Sequence, residues 1–382
     1  MSISNKLKVI TIVGTRPEII RLSRVIPLLD EYTEHIFVHT GQNYDYELNE
    51  IFFNDLELRK PDQFLNVDTS SLGATVGDII KKTEVILKQE KPDSLLVLGD
   101  TNSCLSAYIA KRLMIPIFHM EAGNRCFDFN VPEEINRRII DHIADFNLIY
   151  TEHARRHLIA EGIQQRRIYL TGSPLHEVLA YYKEKIENSS ILHELKLEKG
   201  KYFLVSTHRE ENVDNKEHLF KIASILNLVA ETYNYPVIIS THPRTRKRFE
   251  ELKGFIFNSQ IQFLKPFGFS DYVHLQKSAA CTISDSGTIS EESAMLSFPA
   301  ISLRQSMERP EAQDAGTIIL TGFDEQVVLQ SIEVCIEEHK TNLYKEIPTE
   351  YKITNTSWRV LKLIFGNSRL SSIWDGITKN ES

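Results

Sequence analysis

The chain has 382 residues, 42% hydrophobic and 25% charged, the balance of a globular protein long enough for two domains of ordinary size. A formal charge of −8 and a pI near 5.9 exclude the clustered lysine and arginine excess by which proteins hold nucleic acid. No run of about 18 apolar residues occurs, and the opening "MSISNKLKVITIVGTR" lacks a leader's apolar stretch, so the sequence reads as cytoplasmic, with no membrane partner.

Short β-rich runs alternate with helical patterns along the first half: "KVITIVG", "HIFVHTG", "SLLVLGD", "IPIFHME" and "FNLIYT". Strands apolar at every position are buried on both faces, which predicts a parallel sheet built from βαβ units. The polar, strand-free stretch "YYKEKIENSSILHELKLEKGKY" reads as a linker near residues 180–200. The pattern then repeats with "YFLVSTH", "PVIISTH", "IQFLKPF" and "ACTISDS". "NTSWRVLKLIF" is a terminal amphipathic helix, and the polar tail after it reads as mobile. The expectation is an α/β protein of two doubly wound domains facing a central cleft, spanning 1–180 and 181–365, with a tail over 366–382. Cys104, Cys126, Cys281 and Cys335 are scattered without a CxxC pair, so they read as core-filling thiols rather than disulfide or zinc ligands.

In open α/β sheets ligands bind beyond the carboxyl ends of the strands, so the residues placed there are the candidates for chemistry. The first strand runs into "GTRPEIIRLSRVIPLL", where Gly14 permits a tight turn, Pro17 opens a helix, and Arg16 and Arg21 flank a place suited to an anion. "SLLVLGDT" ends at Asp100 and "IPIFHME" at Glu121; either carboxylate alone reads as a cap, but two at neighbouring strand ends suit proton transfer. Like charges placed close together raise one another's pKa. "VPEEINRR" opens a helix at Pro132 with Glu133 and Glu134 in its first turn; the bland reading pairs them on the surface with Arg137 and Arg138.

In the second half, "STHRE" and "STHPR" set His208 with Arg209 and His242 with Arg244 at two successive strand ends. "SDSGTISEESAML" is a strand end, a small-residue turn and a helix start: Ser286, Gly287 and Thr288 suit a diphosphate, and Glu291 or Glu292 suits the hydroxyls of a ribose. "LRQSMERPEA" returns Arg304 and Arg309 to the same edge. There is no Walker A lysine motif, no metal-ligand cluster and no GxSxG elbow.

Taken in order, "GTRPE", "GDT", "EAG…PEE.NR", "HRE", "SDSG…EE" and "ERPEA", over residues 14 to 312 and so about four-fifths of the chain, resemble the non-hydrolysing UDP-N-acetylglucosamine 2-epimerase family. The resemblance implies two Rossmann-like domains in the glycosyltransferase-B arrangement, a homodimer, and inversion at C2 of a UDP-linked 2-acetamido sugar without a cofactor or metal. It implies anti elimination of UDP to a 2-acetamidoglycal, then re-addition. Position by position, Asp100, Glu121 and Glu133 match the family's catalytic carboxylates and His208 its catalytic histidine. Arg16 matches the phosphate-site arginine, and Ser286, Glu292 and Arg309 match nucleotide contacts. Arg21, His242, Gly287 and Thr288 complete the expected UDP-binding set.

Two features depart from the common family pattern. Arg21 stands where lysine is usual, and the spacer from Glu121 to Glu133, "NRCFDFNVP", is short. In this the chain resembles the branch that converts UDP-2-acetamido-2,6-dideoxy-β-L-talose to UDP-N-acetyl-L-fucosamine, a precursor of capsule and O-antigen sugars. Phe127 and Phe129 are then the expected apolar neighbours of the 6-methyl group. The alternatives are the UDP-N-acetylglucosamine/UDP-N-acetylmannosamine reaction, a glycosyltransferase of the same fold, and a catalytically silent nucleotide-sugar sensor. The last two leave Glu121 and Glu133 without a task.

Overall fold

A computed structural model describes residues 6–42, 53–241, 243–252, 254–341, 346–374 and 376. The chain forms two compact units, Met1–Ala180 with Lys352–Ser382, and Tyr181–Tyr351. The first unit is built on a seven-stranded parallel sheet: β1 Lys8–Val13, β2 Glu34–His39, β3 Gln63–Phe64, β4 Ser94–Leu98, β5 Ile117–Ala122, β6 Phe146–Ile149 and β7 Ile168–Leu170. Its spatial order is β3-β2-β1-β4-β5-β6-β7. The second holds a six-stranded parallel sheet of β8 Phe203–Ser206, β9 Val237–Ser240, β10 Ile261–Leu264, β11 Cys281–Ser284, β12 Ala300–Ser302 and β13 Ile319–Leu320, ordered β10-β9-β8-β11-β12-β13.

The central strands are buried along nearly their whole length, as their unbroken apolar runs require. Ile10, Val38 and Val97 of the first sheet pack against Ile79 and Leu87 of the Leu72–Glu90 helix and Ile140 of the Pro132–Ile143 helix. In the second unit, Val205 and Ile239 pack on Leu226 of the Lys216–Tyr233 helix and Ile332 of the Glu325–Thr341 helix. All four cysteines are buried free thiols. No described helix is long and apolar enough to cross a membrane.

Each strand order reverses once, between β1 and β4 in the first sheet and between β8 and β11 in the second. Helices leave on opposite faces at such a reversal, so the loops beyond the two strands diverge and leave a gap at the sheet edge. The segments beyond these two edges carry Arg16, the first residue of the Arg16–Leu22 helix, and Asp100 in one unit, and His208 and Ser286 in the other.

Two boundaries differ from expectation. The expected linker is folded: the Lys183–Glu187 and Ile191–Glu194 helices belong to the second unit, where the Ile186 carbonyl meets His274 Nδ1 at 2.7 Å and Ser189 Oγ donates to Asp271 at 2.5 Å. The C-terminal helix expected to close the second domain at 365 instead returns to the first. There Thr356 Oγ1 donates to the Thr171 carbonyl at 3.1 Å, and the Trp358 ring lies 5.6 Å from that of Tyr32. The expected tail contains a further helix, Leu370–Trp374, whose Trp374 ring lies 5.9 Å from Phe146. Burial of an amphipathic face is the reason, and the first sheet's flank supplies the apolar surface.

Candidate active site

In the first unit the carboxylates are set by the strand ends that carry them. Asp100 follows β4 through Gly99, whose φ of +76° is left-handed and suits glycine. Arg137 donates to Asp100 Oδ2 through Nε, at 3.1 Å, and through Nη2. Both bonds land on one oxygen, so Oδ1 accepts none from the described residues. The same guanidinium reaches Glu134 Oε2 at 3.0 Å. Arg137 and Glu134 are buried, so the surface pairing of these helix residues is replaced by an internal one. Burial pushes the Glu134 carboxyl up, but the Cys126 N–H, Arg138 and Arg137 outweigh it and hold it below the usual range.

Glu121 sits at a β-bulge: Met120 pairs with Leu148 and Ala122 with Ile149, leaving Glu121 as the extra residue at φ +65°. A non-glycine residue in that region is strained, and such strain gathers at functional sites. The bulge carries the carboxylate to the sheet edge, where Arg21 Nη1 lies 3.1 Å from Oε2 and Asn124 Nδ2 donates to Oε1 at 3.3 Å. A Cβ added to Gly99 would lie 4.0 Å from Glu121 Oε2, which places this carboxylate beside the turn leading to Asp100. Each of the two is therefore held by an arginine of its own. Glu133, in the first turn of the Pro132–Ile143 helix, is partly buried.

Phe127 and Phe129 are 64% and 66% exposed, so neither anchors its loop in the core. Their rings flank the Arg138 guanidinium at 5.7 and 5.4 Å, and Phe127 meets His157 edge-on at 5.4 Å. Arg138 in turn bonds Glu134 and Glu161, which ties the aromatic loop to the helix bearing Glu133.

In the second unit the organising residue is Asp285, at the end of β11 and fully buried. It accepts the backbone N–H of His208 at 3.0 Å, that of Arg209 at 3.1 Å and Asn212 Nδ2 at 2.9 Å, so it fixes the loop after β8. The His208 imidazole is half exposed, with Nδ1 3.5 Å from Asp285 Oδ1. Beyond β11 the Ser286 and Thr288 N–H groups are taken inside the turn, by Ser284 Oγ at 3.0 Å and Ser286 Oγ at 3.3 Å. The two turn hydroxyls, Ser286 Oγ and Thr288 Oγ1, lie 3.0 Å apart.

Gly287 is wedged among charges: a Cβ there would stand 2.8 Å from Glu308 Oε2 and 3.0 Å from Arg309 Nη1. Arg309, buried, donates to the Gly287 carbonyl at 2.7 Å and lies 3.4 Å from Glu291, while Arg209 and Arg304 both reach Glu308. Glu292 accepts from Gln276 Nε2 at 2.5 Å. Two guanidiniums, Arg309 and Arg209, stand against this small turn, with Arg304 joined to them through Glu308, an arrangement suited to an anion. His242 lies outside the described residues.

Sequence reasoning missed Asp285, Glu308, the internal role of Arg137, and Glu18. The signal for Glu18 was available: Thr15 and Glu18 have the T-x-x-E spacing of a capping box. Those for Asp285 and for the bond between Glu308 and Arg209 were not, since these partners lie 73 to 99 residues away in sequence.

Comparison with known proteins places this geometry. The sequence model of a family described as UDP-N-acetylglucosamine 2-epimerase matches residues 29–365. The chain is 36% identical over 342 residues to the UDP-N-acetylglucosamine 2-epimerase of Methanocaldococcus jannaschii, covering 87% of this chain and 93% of that one. It is 31% identical to the UDP-2,3-diacetamido-2,3-dideoxy-D-glucuronate 2-epimerase of Pseudomonas aeruginosa, covering 85% and 91%. The fold superposes on a solved UDP-N-acetylglucosamine 2-epimerase from Rickettsia bellii with a TM-score of 0.91 at 48% identity, covering 97% and 100%. On the M. jannaschii enzyme in complex with UDP-GlcNAc and UDP the TM-score is 0.86 at 33% identity, covering 94% and 100%.

Proposed function

The chain belongs to the non-hydrolysing UDP-N-acetylglucosamine 2-epimerase family and is an isomerase of UDP-sugars, and on that premise we propose that Asp100, Glu121, Glu133 and His208 carry the reaction. One of these groups takes the C2 proton while the C1–O bond breaks, and its electron pair leaves with UDP to give a 2-acetamidoglycal. A proton then returns to C2 from the opposite face as UDP re-adds at C1. The observation that supports this reading is the pair of arginine-held carboxylates at the first sheet's reversal: Arg137 fixes Asp100 by one oxygen, and Arg21 fixes Glu121 on its bulge. Such fixed orientation is what positioned acid–base catalysis requires. Arg16 and Arg21 in the first unit, and His242, Ser286, Gly287, Thr288, Glu292 and Arg309 in the second, form the proposed UDP-binding set. Arg309 serves it by fastening the Gly287 turn.

For the sugar we propose UDP-2-acetamido-2,6-dideoxy-β-L-talose, converted to UDP-N-acetyl-L-fucosamine for capsule or O-antigen synthesis. The short loop between Glu121 and Glu133 supports it, as do the exposed rings of Phe127 and Phe129, which offer apolar surface for a methyl group. A second reading, interconversion of UDP-N-acetylglucosamine and UDP-N-acetylmannosamine, is favoured by the names of the similar enzymes. Incubating each UDP-sugar with the protein in D2O, without acceptor, and following C2 by proton NMR tests both. A higher kcat/KM for UDP-N-acetylglucosamine overturns the L-sugar reading. Release of the sugar to water, or no deuterium at C2, overturns the epimerisation itself. The protein is proposed to act as a homodimer, supported by Ile135 and Ile139, which stand exposed one turn apart on the Pro132–Ile143 helix. A monomeric mass in light scattering contradicts that.

A further inference from the structure

Glu18 is fully buried and belongs to none of the roles above. No cation among the described residues pairs with it; its partners are one backbone N–H and three hydroxyls. They come from two loops. From the turn after β1, which leads into the helix opened by Arg16, the Gly14 N–H donates to Oε2 at 3.0 Å and the Thr15 hydroxyl at 2.7 Å. From the turn after β4, which carries Asp100, the Ser103 hydroxyl donates to Oε1 at 2.5 Å and that of Thr101 to Oε2 at 3.3 Å. Thr101 Oγ1 and Ser103 Oγ lie 2.8 Å apart.

These are the two segments that diverge at the strand-order reversal. We infer that Glu18 is a positioning residue for the epimerisation, a brace that fixes the Arg16 loop against the Asp100 turn and weakens the substrate's hold when it ionises. The inference rests on the reading of Arg16 and Asp100 as site residues.

The surroundings of the carboxyl give ionisation this effect. Burial pushes the Glu18 carboxyl up to about 7, against the pull of its hydrogen bonds from Ser103, Thr15 and Gly14. When neutral it closes a ring: its own O–H donates to Ser103 Oγ, Ser103 donates to Thr101, and Thr101 donates back to Oε2. Gly14 and Thr15 keep their bonds throughout. When ionised it is a buried anion beside the loop proposed to receive a diphosphate. The charged and titratable groups around it do not offset this. On its own helix, Arg21 pairs with Glu121, and both it and Arg16 are proposed to hold UDP. On the β4 side Asp100 is held by Arg137, and the Cys104 thiol is pushed well up by burial and stays neutral. On the β2 side, where Thr40 and Gln42 beyond the strand crowd Gly14, burial lowers His39 to about 4, so it too is neutral.

The test compares kcat and KM of wild type, Glu18→Gln and Glu18→Ala from pH 6 to 8.5, using whichever UDP-sugar wild type turns over. In Glu18→Gln the amide oxygen takes Gly14 and Thr15 and the NH2 donates to Ser103, which reproduces the neutral brace. Wild type should show a several-fold rise of KM above pH 7, and this variant should keep kcat within about threefold and lose that rise. Glu18→Ala releases both loops and should lose kcat at every pH, by tenfold or more, since a displacement near 1 Å costs up to about 100-fold. Wild-type pH dependence of KM in Glu18→Gln overturns the proposal, as does wild-type kcat in Glu18→Ala. Should the alanine variant fail to fold, the Gln profile decides alone. Asp100→Asn, assayed in parallel, separates the premise: full turnover there sinks the site assignment, whereas loss of turnover leaves Glu18 to stand or fall by its own variants.

Discussion

Glu18 also makes a prediction about stability that needs no substrate. An ordinary glutamate in the unfolded chain titrates near 4.5, and burial raises Glu18 to about 7 in the native protein. Between these values the native state holds a proton that the unfolded state has released, so stability falls as pH rises through the window and is level above it. The full difference is about 2.5 units at 1.36 kcal/mol each, or roughly 3 kcal/mol. A little under about 1 kcal/mol of that is already lost at pH 5, leaving about 2.5 kcal/mol between pH 5 and pH 8.5. Glu18→Gln cannot titrate. Its stability relative to wild type should therefore improve by about 2.5 kcal/mol between those pH values. Other groups titrate too, but they cancel in the comparison of variant with wild type at each pH. Glu311, which burial likewise raises to about 7, lies in the second unit. Urea unfolding followed by tryptophan fluorescence sees past it, because the chain's two tryptophans, Trp358 and Trp374, both belong to the first unit. A pH-independent difference would show that Glu18 titrates normally, and one of opposite sign that its carboxyl is held below the ordinary value; either refutes the reasoning.

Asp100→Asn, Glu121→Gln and Glu133→Gln should each fold with an unchanged circular dichroism spectrum and lose turnover by about 100-fold or more; near-normal rates in all three contradict the site. Asp285→Ala removes the acceptor for two backbone N–H groups and Asn212, so kcat/KM should fall more than tenfold while the first unit's tryptophan-detected stability stays unchanged. Gly123→Ala places a Cβ 2.6 Å from the Ala154 carbonyl at φ +82°, and should lower the first unit's stability by at least about 2 kcal/mol in urea unfolding.

The strand ends were legible because they need only local information. Unbroken apolar runs mark doubly buried strands, and the residues just beyond each run must stand at a sheet edge, so Asp100, Glu121, His208 and Ser286 could be placed there from the sequence. Pairings across the sheet were not legible. Arg137 reads as a surface partner of Glu133 four residues away, because helix spacing is all the sequence displays; in the fold it is buried against Asp100, 37 residues earlier. The terminal helix was recognised as amphipathic, but periodicity does not say which apolar surface it covers, and it covers the first unit rather than the second.

The sequence by itself determined the fold class, the succession of strands and the identity of the groups at their ends, because hydrophobic period, turn residues and capping act over a few residues. Tertiary structure alone decided which of those ends become neighbours. The reversal of strand order between β1 and β4 brings residues some 85 positions apart into contact through Glu18, and the bulge at Glu121 turns its carboxylate toward the same edge. Neither has a local cause: strand order is set by the burial of whole helices on two faces of a sheet, and the ionic partners of buried carboxylates are selected by which cations that packing carries out of water with them.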